Sequence, residues 1–293
     1  MKCLVSAVRP SRFYPIAIVL LTILIVWYAA VPWMNHDAAQ NLADDGATQS
    51  DILRATFALD RPLLPAPHQI VGELADSIFG YPITSPHSLV FHAGVTAGAA
   101  LLGLALAVAL GMVLAVGIVQ VRTLDRSLMP WIVASQTVPV LAIAPMVVVV
   151  LGNVGLTGLL PKALIAGWLS FFPITTGMVT GLRSPDPMQR DLMRTYAASG
   201  RQTFAMLRWP ASMSFLFPSL KIAAGLALVG AIVAELPTGA QAGLGARLLA
   251  GSYYGQTLQI WAALFMAAGL AMLAINAVGL AGWWLTRRRG GRL

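Results

Sequence analysis

The sequence predicts an all-α protein that crosses a membrane as about six helices. Of its 293 residues 58% are hydrophobic and only 10% charged, whereas an ordinary soluble domain carries about a quarter charged residues. The apolar residues gather into uncharged runs of roughly 20, enough to span about 30 Å of hydrocarbon as helix. The third observation is where the net charge of +8 sits. Lys2, Arg9, Arg12, Arg122, Arg126, Arg183, Arg190, Arg194, Arg201, Arg208, Arg287, Arg288, Arg289 and Arg292 all fall in segments on one side of the membrane. That distribution makes their side cytoplasmic and accounts for the positive charge without nucleic acid, while Arg54, Arg61 and Arg247, with Lys162 at a boundary, lie on the other side beside Asp37, Asp44, Asp45, Asp51, Asp60, Glu73 and Asp76.

The spans run from about Phe13 to Val31, Leu89 to Val119, Leu128 to Leu151, Ala163 to Leu182, Phe215 to Leu236 and Leu258 to Leu285. Both termini are then cytoplasmic. The chain divides into a first segment (1–34), a periplasmic linker (35–87), a membrane core (88–286) with a cytoplasmic loop (183–210), and a basic tail (287–293). The first run reads as a retained anchor rather than a cleavable signal, because it is long and Tyr28 to Trp33 offers a poor cleavage site. The linker is too short and proline-broken for a large domain and reads as one or two short helices. Trp33, Trp131, Trp261, Trp283 and Trp284 lie near span ends, where amphipathic rings favour the headgroup region.

Gly94, Gly98, Gly103, Gly111 and Gly117 dot the second span and predict close helix approach. Pro130, Pro139 and Pro145 lie in the third, where each removes a backbone hydrogen bond that needs another partner at membrane depth. Cys3 is the single cysteine, so no internal disulfide or thiolate metal site forms. His36, His68, His87 and His92 show no metal-ligand spacing, and no catalytic constellation is present.

Glu235 and Lys221 are the ionisable residues placed within a span, where charge is costly and points to function. Fourteen residues of helix separate them by about 21 Å, so they do not pair. Lys221 is expected to snorkel to the cytoplasmic face. Glu235 stands either at an exposed outer end or on a pathway. Gln136, Thr137 and Thr175, with Asn153, Ser170, Thr176 and Asn276, offer hydrogen bonds to a polar solute or to neighbouring helices.

The loop from Arg183 to Pro210 has the punctuation of two short helices. Asp186 caps the first with Pro187 in its first turn, and Met188, Leu192, Met193 and Tyr196 form an apolar stripe beside Arg190 and Arg194. Ser199-Gly200 ends it, and the second runs through Phe204 and Leu207 until Pro210 stops it. Periodicity alone is satisfied by an amphipathic helix on anionic lipid.

The same loop resembles the signature of ABC importer permeases: Glu-Ala-Ala, three residues, Gly, nine residues, Ile, one residue, Leu-Pro. Asp191-Leu192-Met193, Ala197, Leu207 and Trp209-Pro210 keep every spacing, with Asp for Glu, Leu-Met for Ala-Ala, Ala for Gly and Trp for Leu. Similarity to the branch that imports nitrate, sulfonates, taurine and pyrimidine-type compounds extends from about Leu64 to Trp284. It includes Leu64-Pro65-Ala66-Pro67, Pro139 to Pro145, Pro161-Lys162, Ser170-Phe171-Phe172-Pro173, Gly181-Leu182, Ala234-Glu235 and Gly243-Leu244-Gly245.

The resemblance implies a type I importer permease fold. It also implies a second permease copy or paralogue, a periplasmic binding protein, and separate ATPase subunits that dock on the loop through Asp191, Tyr196, Ala197, Gly200, Phe204, Leu207 and Pro210. Gln136, Thr137, Thr175 and Glu235 are the candidate pathway residues. No Gly-x-x-x-x-Gly-Lys-Ser/Thr phosphate loop occurs, so ATP and Mg belong to the partner and this chain itself binds no cofactor. Leu236-Pro237-Thr238-Gly239 and Gly251-Ser252-Tyr253-Tyr254-Gly255 look most like permeases for pyrimidine-type heterocycles, ahead of sulfonate, taurine or nitrate. The rival class is a secondary carrier without an ATPase, for which neither an internal repeat nor buried coupling-ion charges can be read.

Overall fold

The computed structural model describes residues 13–43, 47–237 and 240–288. Lys2, Cys3, Arg9, Arg12, Asp44, Asp45, Thr238, Gly239, Arg289 and Arg292 lie outside the described residues. Among those described, every element is helical. Among the described residues five helices are long and apolar enough to cross a membrane, or six where a helix pair bent by 99° is counted as one span.

The first helix, α1 (Phe13–Asn41), continues ten residues beyond the expected end at Val31, straight through Pro32. The expected boundary between residues 34 and 35 therefore falls inside a helix. Beyond it come two short helices, α2 (Gln49–Ala55) and α3 (Pro67–Phe79). Asn35 ties this linker down: its amide nitrogen donates to the Leu64 carbonyl at 2.9 Å, and its oxygen accepts from Leu64 N–H at 3.1 Å. The Trp27 indole donates to the Pro65 carbonyl at 2.9 Å.

The core is built around α7 (Leu159–Arg183), flanked by α4 (Leu89–Gln120) and α10 (Trp209–Glu235). In α7 61% of the most apolar stretch is buried, against 6% in α1, which makes α7 the axis of the bundle and α1 a peripheral addition to it. The α4 face that meets α7 repeats small residues every four positions: Ala99, Gly103, Ala107, Gly111 and Ala115, all buried. A Cβ on Gly103 would stand 2.6 Å from the Ala163 carbonyl oxygen. The two backbones thus approach to a distance that any side chain at 103 would forbid.

The expected third span, Leu128 to Leu151, is not one helix. It divides into α5 (Arg122–Ala134), a 3-10 turn (Ser135–Thr137) and α6 (Val140–Asn153), with a 99° bend between the halves. Pro139 is the cause. Its ring disfavours helical geometry at the preceding residue, and Val138 stands in an extended conformation at ψ 121°. Pro130 and Pro145 stay inside helices, so of the three prolines only Pro139 breaks the chain.

The fifth span also differs. The first loop helix, α8 (Pro187–Thr195), is capped by Asp186 as expected. The second, α9 (Gly200–Thr203), does not stop at Pro210. A π-turn (Phe204–Arg208) joins it to α10, giving one continuous helical path from Gly200 to Glu235. A regular helix at Pro210 would force the ring against the carbonyl four residues earlier. The wider π-turn, in which Trp209 N–H reaches the Phe204 carbonyl, lets the path continue through the proline. Two more helices, α11 (Leu244–Tyr253) and α12 (Thr257–Arg288), complete the chain.

Candidate functional site

Two polar constructions stand at opposite ends of this bundle. At one end the arginine-bearing segments meet: Arg183, closing α7, pairs with Asp125 of α5 at 2.8 Å. The loop of α8 and α9 projects here. Its turn is tight because Ala197 adopts a left-handed conformation, φ 51°. Ala198 N–H then reaches the Met193 carbonyl at 3.0 Å and Ala197 N–H the Arg194 carbonyl at 2.8 Å, which closes the end of α8. Ser199 caps α9, accepting from Gln202 N–H at 3.3 Å.

The loop leaves Met188, Leu192 and Tyr196 exposed, Tyr196 by 77%. Asp191 is exposed and paired with Arg194 at 3.0 Å. Gly200 and Pro210 are exposed as well. Phe204 and Leu207 are placed differently: both are half-buried, and Phe204 packs on Trp209 and on the core formed by α4 and α7. The apolar residues expected to face a partner therefore split into Tyr196, which projects from the end of α8, and Phe204 and Leu207, half-buried on the π-turn.

At the far end lies a buried cluster that the sequence announced only through Glu235. Helix α11 begins with three N–H groups that have no partner in their own helix, and three side chains from other helices meet them. Gly243 N–H donates to His92 Nδ1 at 3.0 Å, Leu244 N–H to Thr96 Oγ1 at 2.8 Å, and Gly245 N–H to Glu235 Oε2 at 3.0 Å. Because Nδ1 accepts, the His92 proton sits on Nε2, which faces the Pro86 carbonyl at 2.8 Å.

Thr96 Oγ1 stands 2.9 Å from Glu235 Oε2. Lys162 donates to Glu235 Oε1 at 3.2 Å and to the Ala242 carbonyl at 2.7 Å. Glu235 has no solvent exposure, so it neither ends a span in water nor lines an open cavity of this chain. It ties α4, α7 and α10 to the start of α11. Gly243 makes this possible, since its φ is 127° and a Cβ there would collide with the Glu235 carboxylate.

Beside the cluster is a cavity of about 520 Å³ lined by Thr157, Lys162, Pro237 and Gln241. Lys162 is the residue that faces it, not Glu235. Sequence reasoning set Lys162 aside as a boundary residue. The signal available was its place at the start of a span within Pro161-Lys162; nothing local pairs it with a carboxylate 73 positions away. Lys221, by contrast, is exposed.

The remaining pathway candidates scatter. Gln136 and Thr137 are exposed at the elbow between α5 and α6. Thr175 is fully buried and its hydroxyl donates to the Phe171 carbonyl at 2.8 Å. Its hydrogen bond is spent within its own helix.

The profile of the binding-protein-dependent transport system inner membrane component matches residues 107–283. The match covers more than half of the chain, including the loop, the elbow and the Lys162–Glu235 pair. The chain belongs to this family. Among the relatives of these ABC permeases, the formylaminopyrimidine transport permease protein ThiX of Halalkalibacterium halodurans is 36% identical over 184 residues, which are 62% of this chain and 68% of that protein. The riboflavin transport system permease protein RibX of Chloroflexus aurantiacus is 33% identical over 165 residues, 55% of this chain and 58% of that one. The putative aliphatic sulfonates transport permease protein SsuC of Bacillus subtilis is 25% identical over 218 residues, 74% of this chain and 75% of that one. The ABC permease resemblance and the all-α membrane fold read from the sequence thus hold, and the matched region begins inside α4, after the linker.

Proposed function

We propose that this permease is the membrane half of an ATP-driven importer for a small organic nutrient, with a pyrimidine-type heterocycle first and a sulfonate, taurine or nitrate next. A periplasmic binding protein delivers the solute, two permease chains enclose the route, and ATPase subunits holding ATP and Mg dock on the α8–α9 loop. The loop end is cytoplasmic, as the arginine distribution requires, and both chain termini lie on that side of the inner membrane. Hydrolysis belongs to the partner, and this chain is a transport subunit. The heterocycle is favoured by the relative named for formylaminopyrimidine transport, at 36% identity.

One observation carries the docking role. The signature spacing coincides with a left-handed turn at Ala197 that thrusts Leu192 and Tyr196 away from the bundle. Exposed aromatic and aliphatic groups on a rigid turn are suited to a protein groove.

Ala197→Asp tests it, because Asp tolerates the left-handed conformation and leaves the turn intact. A carboxylate desolvated without a partner costs several kcal/mol, about 3–5 kcal/mol in buried contexts. The variant is expected to insert normally yet lose the co-purifying ATPase and its solute-stimulated hydrolysis. Full retention of both places the docking surface elsewhere. Uptake assays with a pyrimidine, taurine and nitrate then rank the solutes, and transport of nitrate alone would eliminate the heterocycle.

A further inference from the structure

Behind the α8–α9 loop, at the ends of α4 and α10, is a cavity of about 820 Å³. Arg190, Arg194, Arg201 and Arg208 line it, with Asp191 as the one acidic residue. Asp191 is already held by Arg194 at 3.0 Å. Among the described residues, Arg190, Arg201 and Arg208 have no carboxylate within ion-pair distance. The Nε–H of half-buried Arg190 is shielded from solvent and has no acceptor, an arrangement that leaves a buried donor unsatisfied. Arg190 and Arg208 also line an adjoining cavity of about 410 Å³ with Arg122, Arg183 and Asp125, the last already paired with Arg183.

The position of this basic cavity bears on which anion it suits. Val119 and Gln120, where the α4 span ends, form one wall, and Phe204 of the π-turn, beside Trp209, forms another. The cavity therefore lies between the end of the α4 span and the inner side of the loop, whose residues Arg194, Ala198 and Gly200 also line it. Guanidinium groups grip phosphate oxygens through paired N–H donors, and basic pockets between spanning helices on the cytoplasmic side suit anionic headgroups.

We propose that this cavity is a binding site for the phosphodiester headgroup of an anionic phospholipid, seated between the α8–α9 loop and the cytoplasmic end of the bundle. The inference rests on the cytoplasmic placement of the loop given above. It assigns the loop two faces: the exposed apolar residues of α8 go to the ATPase and the arginines go to lipid, so that Asp191, Gly200 and Phe204, docking residues by resemblance, stand on the wall of the lipid cavity instead.

The test uses the full-length protein in mild detergent, with phosphatidylglycerol and phosphatidylcholine titrated separately and bound lipid counted by native mass spectrometry. Phosphatidylglycerol is expected to bind at least tenfold tighter than phosphatidylcholine, and millimolar inorganic phosphate is expected not to displace it. Arg201→Gln removes an exposed rim residue and should weaken phosphatidylglycerol about fivefold, equivalent to ~1 kcal/mol for one basic group near a lipid surface. Arg190→Gln combined with Arg208→Gln should abolish the preference.

Equal binding of phosphatidylglycerol by the wild-type protein and both variants would overturn the site. Displacement by inorganic phosphate would replace the lipid with a free anion. Displacement of the lipid by added ATPase would reassign the arginines to the protein contact. ATPase co-purification is recorded in parallel, so failure of the docking reading registers separately from failure of the lipid site.

Discussion

Lys162 and Glu235 form an ion pair at 3.2 Å between the first turn of α7 and the last residue of α10, with side-chain exposures of 11% and 0%. Each has further partners: the Ala242 carbonyl for Lys162, and Gly245 N–H with Thr96 for Glu235. The pair therefore fixes not two residues but four segments. Such a junction beside the 520 Å³ cavity is where movement of α7 against α10 would be felt at the start of α11.

Removal of one member leaves the other buried without its counter-charge, at a cost of about 3–5 kcal/mol. Glu235→Ala and Lys162→Ala are each expected to lower the melting temperature of the purified protein markedly. The double variant should cost less than the two single losses added together. Strict additivity in this cycle would mean that the pair contributes nothing as a unit.

Glu235→Gln keeps the shape and can still accept from Gly245 N–H, but it leaves the Lys162 charge uncompensated. Uptake is expected to fall more than the amount of protein in the membrane falls. Unchanged uptake kinetics would reduce Glu235 to a cap for α11.

Gly243→Ala adds a methyl group where the Glu235 carboxylate already stands, on a backbone with φ of 127°. Both the collision and the strained conformation act against the folded state, each on the order of 1–3 kcal/mol. The variant should melt well below wild type, and limited proteolysis should cut first between α10 and α11. Cleavage at wild-type rate would mean that the contact relaxes freely.

Ala197 holds a left-handed conformation that costs an L-residue roughly 1–2 kcal/mol, and its φ of 51° is the one positive value found at a non-glycine among the described residues. Ala197→Gly removes that cost, less about 0.4–1 kcal/mol for the freer unfolded chain, so stability should rise slightly with ATPase binding retained. Ala197→Val should do the reverse, lowering stability by about 1–2 kcal/mol. Thermal melts of the two variants check the sign.

Gly103→Leu places a branched side chain against the Ala163 carbonyl and the Ala166 methyl group of α7. No rotamer avoids a backbone contact, so the helices must separate. Loss of folded protein from the membrane is expected, and a normal yield would mean that the α4–α7 crossing is looser than its geometry.

Much of the architecture was legible in the sequence because hydrophobic burial and charge placement act locally. Uncharged runs of about 20 residues make spans whatever their neighbours are, and arginines choose a side by their distance from a span end. The Asp186 cap and the four-residue spacing of small residues on α4 are also properties of one segment read alone. Bends and continuities at prolines were not legible to the same degree. Pro139 breaks its span while Pro32, Pro130, Pro145 and Pro210 lie within helical paths, because the outcome depends on whether neighbouring turns can absorb the missing donor.

The sequence by itself determined that the chain is built for a membrane, roughly where its apolar runs fall, that most arginines gather in one set of connections, and that the loop carries a permease signature. Only the tertiary structure decided that Lys162 is the partner of Glu235, that His92 and Thr96 complete the cap of α11, and that Phe204 turns inward while Tyr196 projects. The reason is physical: helix periodicity and span length are set by residues a few positions apart. A buried charge, by contrast, is stabilised by whichever groups the packing of distant helices brings within 3 Å or so, and those groups leave no local spacing to read.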